Sequence, residues 1–439
     1  MWARAVPLSQ RFTSTGASLD AIAVAFALAG ISAYALNIIL AARLGFIQRL
    51  FGGLDALYRT HRVNGRIAYL LIFAHVCLII ASRATLSASA ALGLFTPSAG
   101  KIILFGVVAF VTMSFAIVAT LYVRLVHEVF VYVQRALGAI FVLALAHVFL
   151  TPGTKASSHV LTIYLTTLSI AAVAAFLYRS VFGNVLVERH TYLVTNVREL
   201  DPSIVEITME PRGKPLHPIP GQFVYATFYS DEFNAQFHPV SFQSKGQSAM
   251  IVVRPGDVRD QFHPFSLTSA AKETELRLAI KAVGTFTTAL HRLTPGAAAL
   301  IEGPYGEFSY LNVPSTTQMW VAGGIGITPF LSMARSLEGD SYDVELVYCV
   351  KERAEAHFLH ELEAIAAKLP NFKVVLVAED EQGVPNAHLI EDLVGPLADR
   401  AIMLCGPPAM VTALTQQFQR AGIERHRIFS ERFGFGPRR

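Results

Sequence analysis

Three imidazoles sit where an apolar sequence would not be expected to keep them. His61 and His75 bracket a run that begins polar at Arg62, Asn64 and Arg66 and becomes apolar through Ile80. Fourteen residues make roughly 3.9 helical turns, so both rings would face nearly the same side of a helix, roughly 21 Å apart along its axis. His147 lies toward the end of another apolar run. Ionisable groups inside a bilayer are costly and generally face a functional interior, although any single one is well explained by a hydrogen bond to a neighbouring helix. Two helices placing His75 and His147 at matching depth point further, because neutral imidazole is an axial ligand for haem iron. A second set of residues suits phosphate chemistry: Gly323, Gly324 and Gly326, followed by Thr328 and Pro329, come directly after the buried-strand run Met319 to Ala322. Glycines at a strand-to-helix turn let a pyrophosphate approach the backbone, and the helix N-terminus faces its charge.

The chain that must position these residues has two characters. It has 439 residues, 53% hydrophobic and 15% charged, and the apolar excess is concentrated before residue 182. A net charge of +4, with no long basic run, gives no reason to expect a nucleic-acid partner. Cys77, Cys349 and Cys405 are too few and too scattered for a disulfide scaffold or a zinc site. Five runs, approximately 20–43, 60–82, 102–123, 128–151 and 157–179, approach the ~20 apolar residues a membrane helix needs. Arg4 and Arg11 precede the first without a cleavage pattern, so it is expected to be a retained helix. Arg43, Arg49, Arg59, Arg62, Arg124, Arg135 and Arg179 collect at one set of helix ends, against Arg83, Lys101 and Lys155 at the other. By the positive-inside rule the N-terminus is outside and the C-terminal half cytoplasmic. Arg4 and Arg11 weigh mildly against this orientation.

Residues 186–312 read as short alternating strands broken by Pro and Gly, an antiparallel barrel. From Gln318 strands alternate with helices, the mark of a parallel sheet. The expected fold is a membrane α-helical bundle, then an antiparallel β-barrel domain and an α/β nucleotide-binding domain. The expected boundaries are an N-terminal segment 1–19, a membrane domain 20–182, a barrel 183–312 and a nucleotide domain 313–439.

Several phrases carry a resemblance. Leu57-Tyr58-Arg59-Thr60-His61-Arg62 with Gly65 and His75 resembles the third helix of the ferric reductase and NADPH oxidase family. His127-Glu128-Val129-Phe130, Gln134 to Gly138 and His147 resemble its fifth. In that family four histidines on these helices hold two stacked haems, which implies metal ligation by His61, His75 and His147. Gln134 stands where the fourth histidine would be, and the family's usual first helix has no counterpart. The resemblance therefore implies one outer haem b and leaves the inner one open. His127 is seven residues, about 10 Å, from Gln134 and is not expected to replace it.

His263-Pro264-Phe265-Ser266-Leu267-Thr268-Ser269 resembles the flavin signature of the ferredoxin reductase superfamily, with Lys281, Gly284 and Thr287 downstream and Gly303 to Gly306 closing the domain. It implies FAD, with Ser266 on the isoalloxazine edge, Phe265 along the flavin, and the turn from Gly284 to Thr287 toward the pyrophosphate. Phe237 to Ser241 is read as an insertion. Cys405, Gly406 and Pro407 resemble the nicotinamide half, where the cysteine lies beside the reactive ring; a buried cysteine would also be an ordinary core residue. The tail resembles one in which an aromatic, here Phe433 or Phe435, covers the flavin. Lys351 and Arg353 would suit a 2′-phosphate and favour NADPH, as a solvated loop would also provide.

Together these imply an integral protein of the plasma or inner membrane. It would carry electrons from cytoplasmic NAD(P)H through FAD and haem to a small outer acceptor. The oxidase branch commonly has another histidine one turn beyond the outer ligand, where this chain has Ile79, so ferric ion or another small oxidant is favoured over oxygen. Superoxide production is the alternative within this class. A transport or sensing protein regulated by its reductase domain is the rival outside it; its helices would need a polar path, and apart from the histidines these spans offer few ionisable groups.

Overall fold

The structure is a computed structural model describing residues 8–123, 127–151, 159–229, 240–244, 247–251 and 262–432. The chain divides between Val187 and Glu188 into two compact units.

Among its described residues the first unit holds five helices long and apolar enough to cross a membrane. They are α1 (Thr15–Ala41), α2 (Leu54–Ala84), α3 (Lys101–Tyr122), α4 (His127–Leu150) and α5 (His159–Phe176), the last running into a π turn at Leu177–Val181. Helices satisfy every mid-chain backbone group internally, which lipid requires. α1 begins five residues before its apolar run because the Ser14 hydroxyl accepts from the Ala17 amide at 3.1 Å and caps it. Large side chains such as Leu70, Phe115, Ile163 and Ile170 point away from the bundle, at 63–77% exposure, as a lipid-facing surface would. The interior uses small or well-anchored groups: Ala35, Ala68, Ala172, Phe141 and Tyr34 are buried. The Tyr34 hydroxyl donates to the Leu137 carbonyl at 2.6 Å, tying α1 to α4.

In the second unit β1 (His190–Asp201), β2 (Ile204–Pro211), β3 (Phe223–Tyr229), β6 (His263–Ser266), β7 (Leu276–Lys281) and β8 (Ala298–Tyr305) form one antiparallel sheet in the order β6-β3-β8-β1-β2-β7. Leu267, just past β6, bridges Leu278 of β7, so the two edges meet and the sheet closes. Closure removes the free edges an open sheet would expose. Its core is Tyr192, Val194, Ile207, Phe228, Leu276 and Ile301 with their neighbours. β4 (Val240–Ser244) and β5 (Gln247–Ile251) pair only with each other. The short helix α6 (Thr285–Ala289) follows β7.

The rest is a parallel sheet in the order β11-β10-β9-β12-β13, from β9 (Thr317–Gly323), β10 (Asp343–Val350), β11 (Phe372–Ala378), β12 (Ala401–Gly406) and β13 (Ile428–Arg432). Helices α7 (Ile327–Ser336), α8 (Leu359–Ala366), α9 (Ala387–Val394) and α10 (Pro408–Arg420) connect these strands. Residues facing opposite sides of it belong to two separate cores, Trp320 and Phe330 in one, Met319 and Phe418 in the other. Strands buried on both faces explain their near-continuous apolar runs.

Candidate functional site

Each of the three membrane imidazoles is oriented by a backbone carbonyl. His61 Nδ1 lies 3.0 Å from the Asn37 oxygen, His75 Nδ1 2.9 Å from Ala23 and His147 Nδ1 2.8 Å from Ile102. A carbonyl only accepts, so Nδ1 must carry the proton, and the neutral ring keeps its lone pair on Nε2. This is the arrangement that presents imidazole to a metal. Asn37 and Ala23 on α1 are fourteen residues apart, as are His61 and His75 on the antiparallel α2, so one helix pair orients both rings. His75 and His147 are close enough to interact electrostatically.

Glycine makes the close approaches possible. A Cβ on Gly106 would stand 2.8 Å from His147 Nδ1, and one on Gly30 would stand 2.8 Å from Ile72 Cγ1. At the other depth His61 and Gln134 line one small cleft with Tyr34, Asn37, Gly138, Phe176 and Arg179. The expected inner pair is therefore brought together as imidazole and amide. His127 is the first residue of α4. Among the described residues no three His, Cys, Asp or Glu side chains converge on a metal position.

The flavin phrase is held from both sides by its backbone, which leaves its hydroxyls over. Thr268 N–H donates to the Arg277 carbonyl at 2.8 Å, the Thr268 carbonyl accepts from Arg335 Nη1 at 2.6 Å, and the Ser269 carbonyl accepts from the Ser332 hydroxyl at 2.7 Å. Ser266, Thr268 and Ser269 are buried, yet none of their hydroxyl oxygens has a hydrogen-bond partner among the described residues. Ser266 and Thr268 alternate with Leu267, which enters the barrel core. Buried hydroxyls are ordinarily paired, so this row has hydrogen-bonding capacity to spare for a polar ligand. His263 stacks on Phe286 with ring centres 3.9 Å apart, and Phe265 lies 6.4 Å from the same ring. Pro264 pairs with Tyr225 in the sheet. Lys281 is exposed at the end of β7, and a Cβ on Gly284 would meet nothing. The Thr287 hydroxyl, expected on the cofactor, already accepts from the Val283 and Gly284 amides at 2.9 and 3.0 Å and caps its own helix.

Sequence reasoning missed Ser332 and Arg335, and gave Ser269 no role beyond closing the phrase. Arg335 also holds Glu361 through two bonds of 2.7 and 2.8 Å, so α7 grips the flavin segment from the nucleotide side.

At the glycine turn the three glycines differ. Gly324 has φ of +53°, and a Cβ there would face open space. Gly326 has the opposite surroundings, since its Cβ would stand 2.4 Å from the Cys405 carbonyl oxygen. Gly323 would press on Met410 and Pro407, and Gly406 on the Gly323 backbone at 3.1 Å. Gly326 therefore lets the turn pack against β12, while Gly324 is the open position. The Thr328 hydroxyl donates to the Ile325 carbonyl at 3.0 Å, and Pro329 is buried in the first turn of α7. Cys405 is buried, and burial, then Glu431, holds its thiol well above the usual range, so it stays protonated. Lys351 and Arg353 are exposed past β10, but Arg353 is already held by Glu381, with Nε to Oε1 at 3.0 Å and Nη2 to Oε2 at 3.1 Å. Phe237 to Pro239, Phe433 and Phe435 lie outside the described residues.

Three families match consecutive stretches of the chain. They are a ferric reductase like transmembrane component over residues 26–145, an FAD-binding domain over 245–309 and an oxidoreductase NAD-binding domain over 320–416. The chain has the make-up of a ferric reductase/NADPH oxidase-like fusion. His61 and His75 fall within the first match, which stops two residues short of His147. The toluate 1,2-dioxygenase electron transfer component of Pseudomonas putida is 27% identical over 249 residues, 55% of this chain and 66% of that protein. The ferredoxin–NAD(P)+ reductase component of the naphthalene 1,2-dioxygenase/salicylate 5-hydroxylase systems of a Ralstonia species is 32% identical over 206 residues, 44% of this chain and 61% of that protein. The chain thus spans about two thirds or less of these relatives. The FAD/NAD-binding domain of a Vibrio cholerae nitric oxide dioxygenase superposes with a TM-score of 0.44 at 19% identity, covering 56% of this chain and 98% of that one. The second unit thus carries the FAD-binding and NAD-binding family matches in tandem.

Proposed function

We propose that this fusion is a transmembrane electron conduit, taking electrons from cytoplasmic NAD(P)H and delivering them to a small acceptor, ferric ion foremost, on the outer side. The observation that carries it is the shared state of His61, His75 and His147, each with Nδ1–H given to a carbonyl and Nε2 left for a metal. Structural histidines in lipid need no such common orientation. When bound, FAD converts a two-electron donor into single-electron steps and haem b relays single electrons across the bilayer, chemistry that belongs to the cofactors.

The chain's own residues do the positioning. His75 and His147 would hold the outer haem, and His61 the inner one opposite Gln134. Ser266, Thr268 and Ser269 offer their spare hydroxyls to the flavin, and the open face of Gly324 admits the dinucleotide. Cys405 keeps a neutral thiol in the core beside the glycine turn and so contributes packing rather than a nucleophile. Residues at the ends of the spans orient the protein, with the N-terminus outside and the reductase half in the cytoplasm.

The test uses purified full-length protein. A haem spectrum that reduced nicotinamide converts from the ferric to the ferrous form under anaerobic conditions, followed by reduction of a chelated ferric salt, is expected. Activity that superoxide dismutase abolishes would replace ferric reduction with the oxidase reading, and a protein without haem would sink the conduit.

A further inference from the structure

The carboxyl ends of β10 and β11 carry a charge pattern that bears on which dinucleotide is used. In an open parallel sheet the dinucleotide lies across the carboxyl ends of the strands at the point where the strand order reverses. Here that point is between β9 and β12, with β10 and then β11 on the other side of the glycine turn. The register is explicit: Gly323 pairs with Cys349, and Val350 with Ala378. Lys351 and Glu352 therefore leave the sheet beside Glu379 and Asp380, and the Asp380 amide donates to the Lys351 carbonyl at 3.1 Å, which ties the two loops together.

Five carboxylates, Glu352, Glu355, Glu379, Asp380 and Glu381, gather there with two cations, Lys351 and Arg353. The one guanidinium among them is already taken by the two-point pair with Glu381. The field of the carboxylates reaches the strand ends: burial first and Glu379 second push the Cys349 thiol up to about 12. A 2′-phosphate brings up to about two negative charges and needs unengaged guanidinium or ammonium donors. A 2′-hydroxyl brings none and can donate a hydrogen bond to a carboxylate.

We propose that this chain selects NADH over NADPH, with Glu379 and Glu381 as the residues that set the preference, one by repelling a 2′-phosphate and the other by withholding Arg353. The inference rests on the proposed function and narrows its NAD(P)H to NADH. It reverses the sequence-based expectation from Lys351 and Arg353, because the carboxylate that neutralises Arg353 comes from a different loop.

The experiment is anaerobic bleaching of the bound flavin in full-length, detergent-solubilised protein, with each dinucleotide titrated separately. NADH is expected to exceed NADPH in kcat/KM by about tenfold or more, a difference produced largely by repulsion of the wrong ligand. The double variant Glu379→Gln, Glu381→Gln should lower that ratio about tenfold through a smaller KM for NADPH. Adding Arg353→Gln to the double variant should undo the part of the gain that comes from the freed guanidinium, leaving the part that comes from removing the Glu379 charge. NADPH equal to or better than NADH in the wild type, or a ratio indifferent to the double variant, overturns the inference and leaves the proposed function standing. Flavin reduced by neither dinucleotide overturns the function itself.

Discussion

Replacing Gly106 by alanine is a test of the outer site that touches no ligand. Gly106 on α3 faces the ring of His147, and an added Cβ would stand 2.8 Å from Nδ1, 2.9 Å from Cε1 and 3.0 Å from Cγ. Non-bonded atoms settle at about 3.5 Å, so the ring must withdraw by roughly 0.6 Å. Its anchor is the Ile102 carbonyl, one turn earlier on the same helix and 2.8 Å from Nδ1. Withdrawal lengthens that bond to roughly 3.4 Å, beyond useful hydrogen-bonding range. The ring then loses the contact that fixes its tautomer and aim, and losses of this kind typically weaken metal binding by about 10- to 100-fold. Purified Gly106→Ala, compared with Gly45→Ala, whose Cβ would meet nothing within 4 Å, should therefore lose its low-spin haem at low haem concentration and recover it partly with excess. Haem content and the low-spin spectrum read this directly. An undiminished low-spin haem in monodisperse Gly106→Ala protein would refute the claim that the Ile102 carbonyl and the Gly106 gap hold His147 for the iron.

At the inner cleft the wild type should show haem with a high-spin component, and Gln134→His should convert it to a second low-spin signal; a wild type already showing two bis-imidazole signals would refute the pairing of His61 with Gln134. Ser266→Ala and Thr268→Val should each weaken FAD retention by roughly 1 kcal/mol, about fivefold, measured by fluorescence titration, since each removes one spare hydroxyl. Gly326→Val should lower the thermal stability of the second unit steeply, because its Cβ meets the Cys405 carbonyl oxygen at 2.4 Å, whereas Gly324→Ala, whose Cβ meets nothing but whose φ is +53°, should lose only about 1–2 kcal/mol to the left-handed backbone and raise KM for the dinucleotide. Equal thermal midpoints for the two glycine variants would overturn that distinction.

Much of this architecture is legible in the chain because each of its signals is local. Membrane helices announce themselves by apolar length, and the observed α2 differs from its apolar run mainly by extending back to Leu54 through polar turns that hydropathy does not register. The Ser266 to Ser269 row was legible as a phrase, and its unpartnered hydroxyls became visible only once Arg277, Arg335 and Ser332 were seen to occupy the backbone. What stayed hidden depends on contacts between distant residues. A carbonyl such as that of Ala23, Asn37 or Ile102 has no side-chain signature, so nothing in the sequence marks it as the partner of a histidine. The burden on Gly326 comes from a strand some eighty residues later, and glycine spacing alone cannot separate a packing glycine from one beside a ligand. Arg353 reads as a phosphate ligand until Glu381, twenty-eight residues away, is found to hold it.

The two depths of the bundle are built on one scaffold and differ in one side chain. α1 offers carbonyls fourteen residues apart to two imidazoles fourteen residues apart on α2, so the positions repeat along the pair with a spacing of roughly 21 Å. α4 answers at one depth with His147 and at the other with Gln134. An amide offers a neutral oxygen or N–H donors where imidazole would offer a basic nitrogen, so the scaffold is kept while the second strong ligand is lost. Were the inner position surplus, there would be no reason for Asn37 to continue orienting His61 in the same way that Ala23 orients His75, at the expense of keeping a polar ring in the bundle. On the proposed function, the retained orientation keeps His61 ready as a ligand for an inner haem, and the change from imidazole to amide weakens the hold on that haem without removing it.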